Sequence, residues 1–213
     1  LKPLDLNLVD IAAKNASAAF KDEPSNRYAI PDPAKRANLH HIYRYFIKLC
    51  VLSGSKAFVT SHDCEGLAIW TMSGTKPSWW HEIQAGVLGL PFRFGWHFLR
   101  YTRSEERFAE KLKRKYAPNP HMYLSLLSVA PEHQGKGFGS RLIKPMIKYL
   151  DANQLPCYLE TQNMKNVAMY QNFGFLLLES TFFPPGSNCE VHIMLRKPGA
   201  QSMTCTEPGK DKA

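Results

Sequence analysis

The six residues Gln134-Gly135-Lys136-Gly137-Phe138-Gly139 carry the clearest chemical signal in this chain. They follow an apolar run, Met122 to Val129, with the composition of a strand. They precede a helical pattern from Arg141 to Ala152. The first turn of a helix leaves backbone N–H groups without intrahelical partners, and the aligned peptide dipoles put partial positive charge there. A pyrophosphate at such a position accepts several N–H bonds at once. Glycine at 135, 137 and 139 lets the backbone approach an anion without Cβ atoms in the way. Ser140 can add a hydroxyl, and Lys136 or Arg141 can add charge. A flexible turn is the plain alternative for the glycines alone. Two other phosphate loops are excluded by spacing: no GxxxxGK[ST] string exists, and these glycines alternate, whereas the dinucleotide fingerprint requires GxGxxG.

Other reactive residue types are scattered. His40-His41 and His81 lack the spacing of metal ligands, and no metal is expected. The five cysteines, Cys50, Cys64, Cys157, Cys189 and Cys205, are odd in number and form no CxxC pair. That speaks against a disulfide framework and for reduced thiols in a cytoplasmic setting. Neither Ser128 nor Cys157 belongs to a recognisable triad. His133 could touch phosphate or ribose, or be a solvated loop histidine. Trp79, Trp80, Phe92, Phe94, Trp96 and Phe98 form an aromatic belt, read first as core and second as a wall of a substrate pocket.

The elements that must position these residues are readable from periodicity. Leu8 to Phe20 has apolar residues at four-residue spacing and reads as a helix ended by Asp22-Glu23-Pro24. Leu39, Ile42, Tyr43, Phe46, Ile47 and Cys50 mark one face of a second helix. Ala57–Thr60 and Leu67–Met72 flank a polar turn and read as a hairpin. From Ser78 to Tyr116 the pattern is helical but interrupted by Gly86, Gly89, Pro91 and Gly95. After the strand, loop and helix of the opening motif come a strand at Tyr158–Thr161 and a short helix at Asn166–Phe173 with Gly174 as its cap. Strands at Phe175–Leu178 and Val191–Leu195 close the pattern. This order implies an α/β (mixed α+β) fold, a mixed sheet with helices on both faces. One domain is expected over residues 1–198, and the polar stretch 199–213 reads as a frayed tail.

The chain has 213 residues, 44% of them hydrophobic and 21% charged, with a net charge of +9. These values suit a soluble globular chain. Nucleic acid, an anionic membrane or a phosphate-rich cofactor could each answer the positive charge. Between Arg93 and Lys115 eight Lys or Arg face only Glu105, Glu106 and Glu110, yet no RNP, KH or zinc-finger pattern accompanies them. No run reaches the length of a membrane span; Ala85 to Tyr101 is broken by Pro91, Arg93, His97 and Arg100. Leu1 to Asp5 lacks the apolar core of a secretion signal, and since the chain does not open on Met its natural start can lie upstream.

With its neighbours, the glycine loop resembles the GNAT (GCN5-related N-acetyltransferase) superfamily. Gln134, Gly137 and Gly139 meet the family signature Gln/Arg-x-x-Gly-x-Gly/Ala. Val129-Ala130-Pro131-Glu132-His133 before it, and Leu159-Glu160-Thr161, Asn166, Tyr170 and Gly174-Phe175 after it, are similar to the family's flanking blocks. Arg196-Lys197-Pro198-Gly199-Ala200 and the pattern around Ala68 and Trp70 further resemble puromycin N-acetyltransferase. The resemblance implies a twisted mixed sheet of about six to seven strands, with helices on both faces and two neighbouring parallel strands that splay; Pro131, unable to extend pairing, is consistent with the parting. Acetyl-CoA would lie in that splay as co-substrate. Backbone groups of Leu127, Ser128 and Val129 would pair with its pantetheine arm, Gln134 to Ser140 would hold the pyrophosphate, and Asn166 would bond the arm from the other side.

The resemblance also implies an activity: transfer of an acetyl group to a primary amine of a small molecule by direct attack. A backbone N–H near Val129 could receive the oxyanion. Tyr170 would protonate the leaving thiolate, since a phenol remains protonated at neutral pH; packing on its helix is the alternative. Glu160 would take the amine's proton through a water, or else be a structural carboxylate. A protein or peptide amine is the alternative acceptor, and a non-catalytic acyl-CoA-binding regulator or a basic nucleic-acid binder would be a different class. The expected partners are a small amine, no nucleic acid and no membrane, with a monomer or homodimer.

Overall fold

The computed structural model describes residues 1–200. Helix α1 (Val9–Phe20) is followed by two short helices, α2 (Pro24–Ala29) and α3 (Pro33–Arg36), and by α4 (His40–Leu52). Strands β2 (Lys56–Val59) and β3 (Gly66–Met72) form the expected hairpin, and a short β1 (Lys2–Pro3), not anticipated from sequence, adds to its edge. Helices α5 (Trp79–Ala85) and α6 (Leu90–Tyr116) make the insert. The remaining elements are β4 (Met122–Val129), α7 (Phe138–Ala152), β5 (Cys157–Thr161), α8 (Met164–Gln171), β6 (Leu176–Phe182) and β7 (Glu190–Arg196).

The seven strands lie in the order β1-β2-β3-β4-β5-β7-β6. All neighbours are antiparallel except β4 and β5. Side chains alternate between the sheet's faces, and the burial follows. Ala68, Trp70, Leu124, Cys157 and Leu159 pack with Leu142, Ile143 and Met146 of α7 and with Val167 and Tyr170 of α8. On the opposite face Val59, Leu67 and Ile69 pack on Ala12, Ala16 and Ile47 of α1 and α4, while Tyr158 and Ile193 meet Leu112 of α6. Helices therefore cover both faces.

The parallel pair is short. Met122 registers with Cys157 and Tyr123 with Tyr158, and the ladder ends there. On its other side β4 carries one extra residue: Trp70 faces Leu124 and Ile69 faces Leu126, which leaves Ser125 unmatched. A bulge of this kind bends its strand, and it falls where β4 leaves β5. The splay thus begins at Leu124, well before Pro131, which lies beyond the strand end in a single 3-10 turn. Proline follows the parting and does not cause it.

A further difference from the sequence reading concerns the boundary of the C-terminal tail. Gly199 and Ala200 are tied back, the first donating its N–H to Asp151 Oδ1 at 2.8 Å and the second accepting from Arg196 Nη2 at 2.9 Å; the rest of the expected tail, 201–213, lies outside the described residues. Cys50, Cys64, Cys157 and Cys189 are all free thiols, and Cys205 falls outside the described residues. Among the described residues no helix is long and apolar enough to cross a membrane.

Candidate active site

The glycine loop makes two left-handed residues in a row of alternating turns, Gly135 at φ +75° and Gly137 at φ +80°. A Cβ strains this conformation, which accounts for glycine at both. Gly137 is also the N-cap of α7, and no side chain bonds the free N–H groups of that helix. A Cβ built at Gly135, Gly137 or Gly139 meets no heavy atom within 4 Å. Open space in front of an uncapped fifteen-residue helix is what a pyrophosphate requires. Gln134 fastens the loop to the strand: its Nε2 donates to the Val129 carbonyl at 3.2 Å.

A cleft of about 890 Å³ runs from this loop into the splay. Leu127, Ser128, Val129, Gln134, Gly135, Gly137, Phe138, Gly139, Ser140 and Asn166 all line it, as does His133. Lys136 does not; it is exposed and outside the lining, and so is Arg141, whose guanidinium lies over the Phe138 ring at 5.3 Å. Asn166 reaches across from α8, where its Nδ2 donates to Thr161 Oγ1 at 3.4 Å.

At its inner end the cleft meets a smaller cavity of about 210 Å³. Phe20, Glu23, Leu127, Gln162, Asn166 and Tyr170 line both spaces. Tyr170 is 6% exposed, and its ring packs edge-on against Phe175. Its hydroxyl has no hydrogen-bond partner among the described residues, and burial holds the phenol above its ordinary range. Glu160 lines the inner cavity on the α6 side of β5, the same side as Tyr158. Its Oε1 accepts from Tyr158 at 2.8 Å and its Oε2 from Tyr123 at 3.0 Å. Burial pushes the carboxyl up, and the two phenols offset part of that.

Two acids that the sequence reading passed over share this cavity. Glu23 opens α2 and Glu105 lies within α6. Burial raises each carboxyl to about 7. Glu105 accepts a long 3.4 Å bond from Tyr101, and the charges of Glu160 and Glu23 raise it further. A signal for Glu105 existed: it stands four residues after Tyr101 and three before Phe108, on the stripe that also buries Phe98 and Leu112. An acid on an apolar stripe is a buried acid. For Glu23 the local sequence held no such cue.

The aromatic belt divides. Phe94 and Phe98 are core, as read first, whereas Trp79, Trp80, Phe92 and Trp96 stand exposed, Phe92 at 92% and Trp96 at 76%. None of the six lines the inner cavity. Ala68 and Trp70 are fully buried core, and Arg196 is spent on an internal bridge to Asp151. The residues that resemble puromycin N-acetyltransferase therefore touch neither space.

The Acetyltransferase (GNAT) family model matches residues 96–175, the span from α6 through Phe175 that builds the loop, the splay and Tyr170. Residues 96–175 therefore carry the sequence pattern of this family. It is 28% identical over 204 residues to an uncharacterized N-acetyltransferase of Schizosaccharomyces pombe (strain 972), a match that covers 90% of this chain and 80% of that one. Among solved structures, a Corynebacterium glutamicum protein described as histone acetyltransferase HPA2 and related acetyltransferase superposes with a TM-score of 0.66 at 19% identity, over 96% of this chain and 97% of that one. Arylalkylamine N-acetyltransferase 2 from Aedes aegypti gives a TM-score of 0.58 at 14% identity, over 92% of this chain and 97% of that one. At these identities the structures share the fold. This acetyltransferase is an acyl-CoA-dependent enzyme by family. Its matched segment begins inside α6, so Phe20, Glu23 and Tyr43 belong to a part of the chain that the family model does not reach.

Proposed function

We propose that this acetyltransferase moves the acetyl group of acetyl-CoA onto a primary amine of a small molecule by direct attack. The observation that carries the reading is the unpartnered Tyr170 hydroxyl at the junction of the cleft and the inner cavity. The loop and its open approach fit a pyrophosphate, and the unladdered edge of β4 from Leu124 to Val129 fits the pantetheine arm as an added strand. Acetyl-CoA supplies the thioester. Gln134, Gly135 and Gly137 to Ser140 hold its phosphates, with Asn166 across the arm. A backbone N–H near Val129 meets the oxyanion. Glu160 takes the amine's proton through a water, the nitrogen displaces sulfur at the carbonyl carbon, and Tyr170 gives its proton to the departing thiolate. A small acceptor is favoured by the inner cavity, whose 210 Å³ lies below the roughly 300–1,000 Å³ of drug-sized pockets.

The test is thiol release from acetyl-CoA over a panel of primary amines and peptide N-termini. Turnover with small amines is expected. Turnover confined to peptides would replace the acceptor class. A rise in Tm with acetyl-CoA, without thiol release for any amine, would make the chain a CoA-binding regulator.

A further inference from the structure

We infer that the acceptor carries a second cationic centre, and that Glu23 and Glu105 bind this distal ammonium while the reacting amine lies beside Tyr170. The inference rests on the proposed acetyl transfer and names the substrate class for that same site.

The chain carries a net charge of +9, yet no lysine or arginine lines the inner cavity among the described residues; its charged lining groups are Glu23, Glu105 and Glu160. Lys113, whose charge reaches Glu160 from outside the lining, lies over the Tyr123 ring at 4.4 Å and is paired with Glu110 at 3.1 Å. Buried carboxylates without a cation are costly. A fold keeps such groups in a substrate space when a ligand supplies the missing charge.

Two unpartnered polar groups point to what that ligand must offer. Gln162 Oε1 is fully buried without a hydrogen-bond partner, and its residue lines the same cavity. Tyr170, 6% exposed, leaves its hydroxyl unpaired there as well. With the three carboxylates, Gln162 Oε1 gives the cavity a surplus of acceptors, to which the Tyr170 hydroxyl can either donate or add. An ammonium has donors and no acceptor, so it complements this set as a neutral alcohol or an acid does not. A metal ion does not fit: among the described residues no three His, Cys, Asp or Glu are grouped closely enough to hold one. Acids too spread to share one ion suit an extended organic cation.

The two walls of the cavity match the two tasks. The sheet side supplies Glu160 from β5 and Tyr170 from α8, the groups assigned to proton transfer. The helical side supplies Glu23, Glu105 and the phenol and ring of Tyr43, and Phe20 and Phe108 add aromatic surface. Aromatic faces attract cations and accept aliphatic spacers. A short aliphatic diamine, or a small amine with a guanidinium at its far end, fills both sides at once.

The test compares 1,5-diaminopentane with pentylamine in the thiol-release assay, on the wild type, Glu105→Gln, Glu23→Gln and the control Glu106→Gln, an exposed neighbour on α6. The wild type should prefer the diamine in kcat/KM by about 10- to 100-fold, the size of a hydrogen-bonded charge contact. Each cavity variant should lower that preference by a similar factor, chiefly through KM, while Glu106→Gln leaves the preference as it was. Equal use of both amines by the wild type, or an unchanged preference in both cavity variants, overturns the inference and leaves acetyl transfer standing. If no amine is turned over while acetyl-CoA still raises Tm, the transfer reading fails and this one with it.

Discussion

Tyr170 and Glu160 face the same small space from opposite faces of the sheet, and the two can be separated by experiment. The phenol is buried, unpaired and held neutral, so it can give a proton but has no packing partner that depends on its oxygen. Tyr170→Phe should lower kcat by about 10²–10³, in the range for loss of a positioned acid. Acetyl-CoA should still raise Tm in that variant, as read by thermal unfolding; turnover within a few-fold of wild type would leave Tyr170 a packing residue. Glu160 is different because both oxygens already accept a phenol. Each carboxylate oxygen keeps a further lone pair, so a water can still be reached. Burial raises its folded pKa above 4.5. The ionised base is therefore present above that raised value and lost as pH falls through it, which puts the acid limb of kcat/KM above the usual carboxylate range. Glu160→Gln should flatten that limb, and a pH–rate profile with the limb in place assigns Glu160 to orientation of Tyr123 and Tyr158 alone.

At the scale of elements, the donor side depends on the entry to α7. Gly137→Ala should cost about 1–2 kcal/mol of stability, because an L-residue is forced left-handed. It should also weaken stabilisation by acetyl-CoA, since the new methyl enters the open space before the helix. Stability loss alone, with the acetyl-CoA shift intact, would mean that the loop is only a turn. The far end of α7 is held by Arg196, 2% exposed, which meets Asp151 at 2.7 and 2.9 Å and donates to the Phe173 carbonyl at 2.8 Å. Arg196→Met should cost about 1–3 kcal/mol in denaturant unfolding, since the bonds of a buried guanidinium are lost while the half-buried Asp151 left behind can rehydrate; a loss under about 0.5 kcal/mol would match a surface bridge instead. The Asp151 carboxyl is held below its ordinary 3.8. The bridge therefore contributes fully above that value and is lost as pH falls below it.

These elements were legible in the sequence to unequal degrees. The run from Met122 to Phe175 was clear because its signals are local: an alternating strand, glycines at left-handed positions, a 3.6-residue stripe on α7 and a glycine cap at φ +82° after α8. The Ser125 bulge was not, because an extra residue exists only relative to the β3 register. The belt departs from its reading as core in four of its six members, two of them for a related reason. Gly95 adopts φ 81° and ψ 179° inside α6, so one helical stripe cannot be projected through it; Phe94 and Phe98 turn inward while Phe92 and Trp96 face out.

Over the whole molecule, the acceptor wall is assembled from segments far apart in the chain, which is why no motif announced it. Glu23 and Glu105 meet only because α2 and α6 pack together, and their arrangement has a cost that can be measured without any substrate. Each carboxyl has a folded pKa of about 7 against an ordinary 4.5. Between those values the folded chain keeps a proton that the unfolded chain has lost. Stability therefore falls as pH rises from about 4.5 through 7. Tyr43 and Tyr170, which line the cavity, and Tyr101, Tyr123 and Tyr158, which donate to its acids, are all raised and stay neutral in this window. Glu160 is raised too, and Lys113 and Glu110 oppose each other beside it. His41 and His121, both lowered from 6.5 by burial, act in the contrary sense. The informative quantity is thus the difference between variant and wild type, from which they cancel. Glu105→Gln should be near wild type in Tm at pH 5 and more stable at pH 8, by about 1–2 kcal/mol or roughly 2–8 °C for a chain of this size. A difference that stays constant from pH 5 to pH 8 would show that Glu105 does not titrate in the window. A difference that grows with pH and narrows when 1,5-diaminopentane is added to the wild type would tie the strain in the empty cavity to the cation that relieves it.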